Sequence, residues 1–510
     1  MVQCQTIRYL LCAVVLGLTP WTTGSRLVHA SQDDVLWQIR REAAIGNNRA
    51  VALATTLSDL FGARLTGSRT LEAARVWAEQ QMALSGLVDV TRLPWDFGHP
   101  GWSNERAHCR LIAPTIDTLP CAAVAWTPGT KGASIADVSY VHLPLGMTEG
   151  QLAGWFEQER SNLEGRVVML ESPADLPAVP EPPALRLEAD ILAPFRTQRS
   201  TSPFTSSRVK VTGGALSPVT VASYSALVNR LLVKAGVVGR LYDSALPDGL
   251  LRPFANTTFD VSASPASVGI RNEDYARIVR LLGIGLDVKA ELWLQHQSFP
   301  NAREFNVSGR LNGREPHLAP LVVGAHLDTW HVGPGTTDNA VGVAIVLEAA
   351  RILKSLNAEP QRSIEFILWS GEEQGLLGST AYVNELIQSK KEPPVTYVNV
   401  DGGTGRIRGA SVYADGRAVA DRLRDTFDSM SDLDVVGVLA ASGPGPSDSD
   451  HFPFAAAGIP AVRFEHDPLR FRTHTWHTDI DTPERISTND LNASVTVLAA
   501  AVWQLANGRY

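Results

Sequence analysis

The sequence predicts an α/β protein: a mixed sheet with helices on both faces, carrying an inserted, mostly β lobe. Three observations support this. From Phe305 onward, apolar strand-like runs alternate with helical segments, and the strands finish in His, Asp or Glu. The chain has 510 residues, 44% hydrophobic and 19% charged, which is more than one domain usually holds, so two lobes are expected. Between about Cys109 and Leu286 the texture changes to short β-like runs such as Gly165 to Leu170, separated by proline-rich loops, notably Pro173 to Pro183. The expected division is 1–30 as a leader, 31–108 and 287–510 as two parts of the main domain, and 109–286 as the inserted lobe.

The leader reads as a secretory signal. Arg8 precedes an apolar run from Tyr9 to Leu18, and Val28-His29-Ala30 offers small residues at the two recognition positions. That run is too short to span a bilayer, so no membrane association is expected after its removal. A secreted, periplasmic or extracellular protein follows. Losing Arg8 and Arg26 with no acid takes the formal charge from −8 to −10, and such an acidic chain is not built to neutralise nucleic-acid phosphates. Cys4 and Cys12 leave with the leader, while Cys109 and Cys121 remain. In an exported chain this pair most simply forms one disulfide, two buried thiols being the alternative.

The mature chain begins helically. Leu36, Ile39 and Ala43, then Val51, Leu53, Leu57 and Leu60, keep helical spacing until Gly62-Ala63-Arg64-Leu65-Thr66-Gly67-Ser68 breaks it. Ser68 suits the cap of a helix from about Thr70 to Leu84, and Val88 to Leu93 reads as a strand. Within the insertion, Arg196, Arg199 and Arg208 either form a solvated face or reach a substrate carboxylate from a lid. A helix from Glu273 to Leu282, capped by Asn272, leads to the strand Val288 to Leu294. Asn256, Asn306 and Asn492 lie in glycosylation sequons, of which Asn306 falls in a predicted strand and is a poor acceptor.

The chemistry gathers at strand ends. Leu321 to His326 is an apolar run followed by Asp328, a Gly/Pro loop, and Asp338-Asn339 at the start of a helix. Open α/β sheets place their sites at such carboxyl ends. His326 and Asp338 suit metal ligands, with Asp328 bonding the far nitrogen of His326 to fix its tautomer. Ser363 to Trp369 is a second strand and ends in Ser370-Gly371-Glu372-Glu373. Two adjacent acids there are costly without a nearby cation, and in a metal site they divide the work: Glu373 coordinates and Glu372 holds the attacking water as general base. Asp401 ends the strand Tyr397 to Val400, and His474 or His477 follows near the carboxyl terminus. Two His and three carboxylates, one shared, suit a pair of closely spaced zinc ions.

These residues carry a resemblance. His326-x-Asp328, Asp338-Asn339, Glu372-Glu373, Asp401, Ser449-Asp450-His451 with Gly458-Ile459-Pro460, and Trp476-His477-Thr478 resemble the M28 family of dizinc exopeptidases. The strings His326 to Gly333 and Glu372 to Gly375 look most like its plasma glutamate carboxypeptidase, or carboxypeptidase Q, branch. The similarity extends to Arg64 to Ser68 and Phe305 to Val307, and so over nearly the whole mature chain. It implies a zinc-exopeptidase-like sheet with a protease-associated domain inserted into the catalytic domain. It further implies one Zn2+ on His326 and Asp401, a second on Glu373 and His477, Asp338 bridging them, Glu372 as base, and a cis Asp338-Asn339 peptide. His331 departs from the branch, which usually carries an acid there.

The expected function is a secreted dizinc exopeptidase cutting dipeptides or short peptides by a metal-activated water, of carboxypeptidase or dipeptidase type. An aminopeptidase with the same metals is the alternative; a non-catalytic binding protein on this fold and a single-zinc glutaminyl cyclase are remoter ones. No Gly-x-Ser-x-Gly elbow surrounds Ser447 or Ser449. The expected partner is a peptide substrate, and a homodimer stays open.

Overall fold

A computed structural model describes residues 32–44, 48–144, 146–178, 182–197, 218–300, 302–356 and 359–510. The leader, Cys4, Cys12, Arg199 and Arg208 lie outside the described residues. Among the described residues, no helix is long and apolar enough to cross a membrane.

The main sheet has eight strands in the order Val88–Asp96, Arg303–Leu311, Ile364–Trp369, Leu321–His326, Thr396–Asn399, Ala461–His466, Ile407–Tyr413 and Gly437–Ala440. Its centre is parallel: Leu321–His326 pairs in parallel with both Ile364–Trp369 and Thr396–Asn399, and the latter pairs in parallel with Ala461–His466. The outer pairings are antiparallel on one side and mixed on the other, giving the expected mixed sheet.

Period-two alternation decides which core each side chain enters. Leu321, Val323 and Ala325, with Ile364, Phe366 and Leu368, face the helices Ala50–Phe61, Val341–Ser355 and Thr488–Ala506. Val322, Ile367 and Trp369 face the opposite side, against Val383 and Phe454 of the helices Leu377–Ser389 and His451–Ala456. The first core is the larger, and Val341–Ser355 is buried along nearly its whole length because a parallel sheet needs its faces covered. Gly324 sits where a side chain would collide, since an added Cβ would lie 2.5 Å from the Trp369 indole nitrogen and 2.9 Å from the Tyr397 hydroxyl.

A second, nine-stranded sheet is built from strands between Gly101 and Phe299. It runs past both expected borders of the insertion, because the long antiparallel pair Gly101–Ala113 and Lys289–Phe299 forms its stem. The section also holds more helix than the mostly β reading allowed. Ser134–Tyr140, Val167–Met169, Gly239–Asp243 and Ser267–Ile270 are parallel neighbours. Parallel neighbours need crossovers, and Glu149–Gln158 and Pro218–Ala235 supply two of them.

Local readings fare variously. Ser68 accepts the Leu71 amide at 3.1 Å and caps Arg69–Leu84 as expected. The helix expected from Glu273 starts at Asn272, whose amide bonds Asp243 and the Ala174 carbonyl instead of capping it. Cys109 and Cys121 are free thiols, not a disulfide, although they are close neighbours: burial raises the Cys109 thiol's pKa and Cys121 helps raise it further. Asn256 and Asn306 are both buried, with their amide groups bonded to backbone carbonyls. Arg196 belongs to the helix Ala189–Thr197, which packs on the strands Ile407–Tyr413 and Gly437–Ala440.

Leu347 is 1% exposed in the larger core. Leu347→Ala should therefore cost about 2–4 kcal/mol, read as a lower urea midpoint at unchanged m-value.

Candidate metal centre

Three parallel strands bring the site together. In their register His326 is opposite Trp369 and Gly324 is opposite Asn399. The residues that follow each strand therefore emerge side by side: Glu372 and Glu373 after Trp369, and Asp401 after Asn399. Asp338 enters from the turn before the helix Val341–Ser355, across a cis Asp338-Asn339 peptide as the resemblance implied. His477 comes from the loop after residues 471–475.

Asp338 is the centre of the geometry. Its Oδ1 lies 3.2 Å from His326 Nε2, and its Oδ2 lies 3.2 Å from His477 Nε2. Asp401 Oδ1 is 3.7 Å from the first imidazole, and Glu373 Oε2 is 2.8 Å from the second. Two groups able to hold a metal thus share Asp338: His326 with Asp338 and Asp401, and Glu373 with Asp338 and His477. His326 also forms such a group with Glu372 and Glu373. His474 joins none of these groups; its Nδ1 meets the Thr473 hydroxyl.

The donor set fits a hard or borderline dication. His326 Nε2, Asp338 Oδ2 and Glu373 Oε1 are buried without a hydrogen bond, which is costly unless another positive group satisfies them. The electrostatics agree. Burial pushes Glu373 up to about 7 and Glu372 well above the usual carboxylate range. Burial opposes charge on His477 too, yet the Glu373 and Asp338 carboxylates raise it to about 10. Asp338 is held low despite its burial, because both imidazoles stand 3.2 Å from its oxygens. The cluster concentrates negative charge and draws in cations.

A supporting layer fixes the donors. His326 Nδ1 donates to the backbone carbonyl of Asp328 at 3.0 Å, while the Asp328 carboxylate stands 3.9 Å away. The expected carboxylate bond to His326 is thus replaced by one to the carbonyl of the same residue. The carboxylate is turned to accept the Thr66 hydroxyl at 3.1 Å and the Glu372 and Glu373 amides at 3.3 and 3.2 Å. It shapes the turn that carries the two glutamates.

Other supports went unread in the sequence. Asp481 accepts the Thr337 and Asp338 amides at 2.7 and 3.0 Å. Asp401 Oδ2 accepts the Ser449 hydroxyl at 2.6 Å, and Ser449 accepts the Asn399 amide at 2.7 Å. Asn399 in turn accepts the Tyr397 hydroxyl at 2.7 Å, and that hydroxyl accepts the Trp369 indole N–H at 2.7 Å. The advance signs were an asparagine inside an otherwise apolar strand and the place of Ser449 in the resemblance. Arg64, fully buried, donates to the carbonyls of Leu327 and Pro334, both at 2.8 Å, and of Gly335 at 3.1 Å, clamping the loop between His326 and Asp338. His331 Nε2 meets the Ala123 carbonyl at 2.7 Å and ties the same loop to the second sheet.

Residues 306–502, which contain all seven of the expected site residues, match the sequence profile of peptidase family M28. The match supports the M28 assignment over the segment that carries the site. Carboxypeptidase Q of Bos taurus is 22% identical over 90% of this chain and 84% of its own length. Aminopeptidase YwaD of Bacillus subtilis is 32% identical over 46% of this chain, which spans only half of that protein. The structure of BSAP, a zinc aminopeptidase from Bacillus subtilis, superposes with a TM-score of 0.57 at 19% identity, over 90% of this chain and 94% of that one, and so shares the fold. The M28 match and the carboxypeptidase and zinc aminopeptidase relatives together support a metallo-exopeptidase.

The Arg64 clamp yields a prediction. Lysine cannot reproduce a planar fork that reaches four carbonyls, that of Gly62 included, so Arg64→Lys should lower unfolding stability by about 2–3 kcal/mol in denaturant titrations.

Proposed function

We propose that the protein is a secreted dizinc exopeptidase of carboxypeptidase or dipeptidase type, acting on dipeptides or short peptides. The observation that carries the reading is Asp338, whose two oxygens each face a different imidazole within a group able to hold a metal. In this assignment His326 and Asp401 would hold one zinc, Glu373 and His477 the other, and Asp338 would serve both. Bound zinc supplies Lewis acidity, lowering the pKa of a water and polarising the scissile carbonyl. The remaining work falls to the chain.

Glu372 is the general base. It stands in the same cleft as Asp338, Asp401 and His477, and its backbone is held by the Asp328 carboxylate. Burial raises its proton affinity, so it can take a proton from the attacking water and pass it to the leaving amine. Asp328 and Asp481 position rather than react, through the amides they accept. Ser449 holds Asp401 in one orientation. The section around residues 109–286 is read as a lobe inserted into the catalytic domain, with the Ala123 carbonyl bracing the His331 loop. Export follows from the leader-like residues 1–30.

The aminopeptidase reading is the second one, favoured by the 32% identity to YwaD. One dipeptide presented free at both ends, N-acetylated, and C-amidated separates the possibilities. Cleavage of the acetylated but not the amidated form means carboxypeptidase, the reverse means aminopeptidase, and cleavage of the doubly free form alone means dipeptidase. A protein that cuts none of them and takes up no zinc overturns the proposal.

Two variants test the roles. Glu372→Gln should keep two zinc equivalents by elemental analysis while turnover falls by about 100- to 10,000-fold. Asp338→Ala should lose zinc and melting temperature together, because both ions depend on it.

A further inference from the structure

We infer that Arg472 is the residue that recognises the substrate's free α-carboxylate. This rests on the exopeptidase reading and names what selects the end of the peptide. Arg472 lines the cleft that also contains Asp338, Glu372, Glu373, Asp401 and His477, and no other lysine or arginine lines it among the described residues. It is exposed, and its guanidinium has no hydrogen bond or ion pair with any described residue. Its position is nonetheless defined. The guanidinium carbon lies 4.7 Å from the Trp476 ring centroid and 5.3 Å from that of Phe471. Trp476 itself stacks on the His477 imidazole at 4.1 Å. A ladder of ring contacts thus runs from a proposed metal ligand through an aromatic plate to a planar cation whose donors are unspent.

The charge inventory of the cleft favours a carboxylate over an ammonium. Beyond the proposed ligands and base, the remaining acid on the wall is Asp448. Its Oδ2 lies 3.3 Å from Arg463 Nη2, so its charge is already answered. Beyond the proposed ligands and base a substrate α-amine would find no unpaired acid there, whereas a substrate carboxylate finds an unpaired arginine. Arginine binds carboxylates through two parallel N–H···O bonds, which fixes the peptide's direction as well as its affinity.

The test compares the wild-type protein with Arg472→Ala, Arg472→Gln and Arg472→Lys, each zinc-loaded and checked for metal content. The probes are one dipeptide as free acid and as C-terminal amide, and a reduced-bond isostere of the same dipeptide in both forms. Turnover is read on the first pair and the dissociation constant, by calorimetry, on the second. The wild type should prefer the acid in both readouts. In the Ala and Gln variants KM and Kd for the acid should rise about 10- to 100-fold, so that the preference collapses, and Lys should restore part of it. Collapse in binding without any wild-type turnover would sink the hydrolase reading and leave this one standing. A wild type indifferent to amidation, or variants that keep its preference, would overturn the assignment of Arg472.

Discussion

The constraint on which this structure depends is the concentration of negative charge at the carboxyl ends of three parallel strands. Asp338, Asp401, Glu372 and Glu373 converge on two imidazoles, and Asp338 itself is 5% exposed. Carboxylates in such a place are costly unless paired with cations and fixed by donors. Much of the surrounding sequence performs that fixing. Asp481 gathers the amides before the bridging aspartate, and Asp328 gathers those of the glutamate turn. These two supporting carboxylates are themselves satisfied by backbone N–H groups, so the site's orientation is written into main-chain geometry rather than into long side chains.

The same constraint joins the site to the sheet's core. The relay from Trp369 through Tyr397, Asn399 and Ser449 to Asp401 crosses the face packed against Phe454. The links as far as Ser449 are neutral hydrogen bonds of modest net worth and the last reaches a carboxylate, and breaking any one leaves a buried group unpaired at greater cost. Asp401 is therefore held by the ring positions of an aromatic core. The second sheet acts on the rim. His331 meets the Ala123 carbonyl, and Leu251 exchanges hydrogen bonds with Asp479, two residues beyond His477. Both loops that close the cleft thus touch the section the sequence marked as an insertion.

What was legible in the sequence follows from the range of the interactions involved. His326, Glu372, Glu373 and Asp401 could be read because strand periodicity and a polar terminus are local signals, and they do come together with Asp338 and His477. Asp328 was half legible: two residues beyond His326 it stays within reach, but whether its carbonyl or its carboxylate makes the bond depends on Thr66 and the glutamate amides, remote in sequence. The resemblance reached Arg64, but its role was illegible, because a segment read as a break between helices clamps a loop more than 260 residues away. The helical crossovers of the second sheet were obscured by proline-rich connections that imitate a β domain. The cysteine pair shows a further limit, since proximity was inferred rightly while the bond between the sulfurs is not formed.

His477 shows how the demands of the site reach the backbone. The other proposed ligands stand at strand ends or a helix entrance, where regular structure presents them. His477 adopts a φ of +57°, a left-handed conformation that costs a non-glycine residue about 1–2 kcal/mol. Such a conformation persists only where the neighbours over-determine it. Trp476 stacks on one face of its ring and the Trp330 ring approaches edge-on at 6.0 Å. Thr478, the next residue, donates its hydroxyl to the His474 carbonyl, and its amide reaches the Thr475 carbonyl at 3.1 Å. Relaxing the backbone here would swing Nε2 away from Asp338 and Glu373. The aromatic stack that supports Arg472 and the strained residue that faces the acids are one unit, so the geometry of the charged centre and the placement of the cleft's unpaired cation are set by the same few side chains.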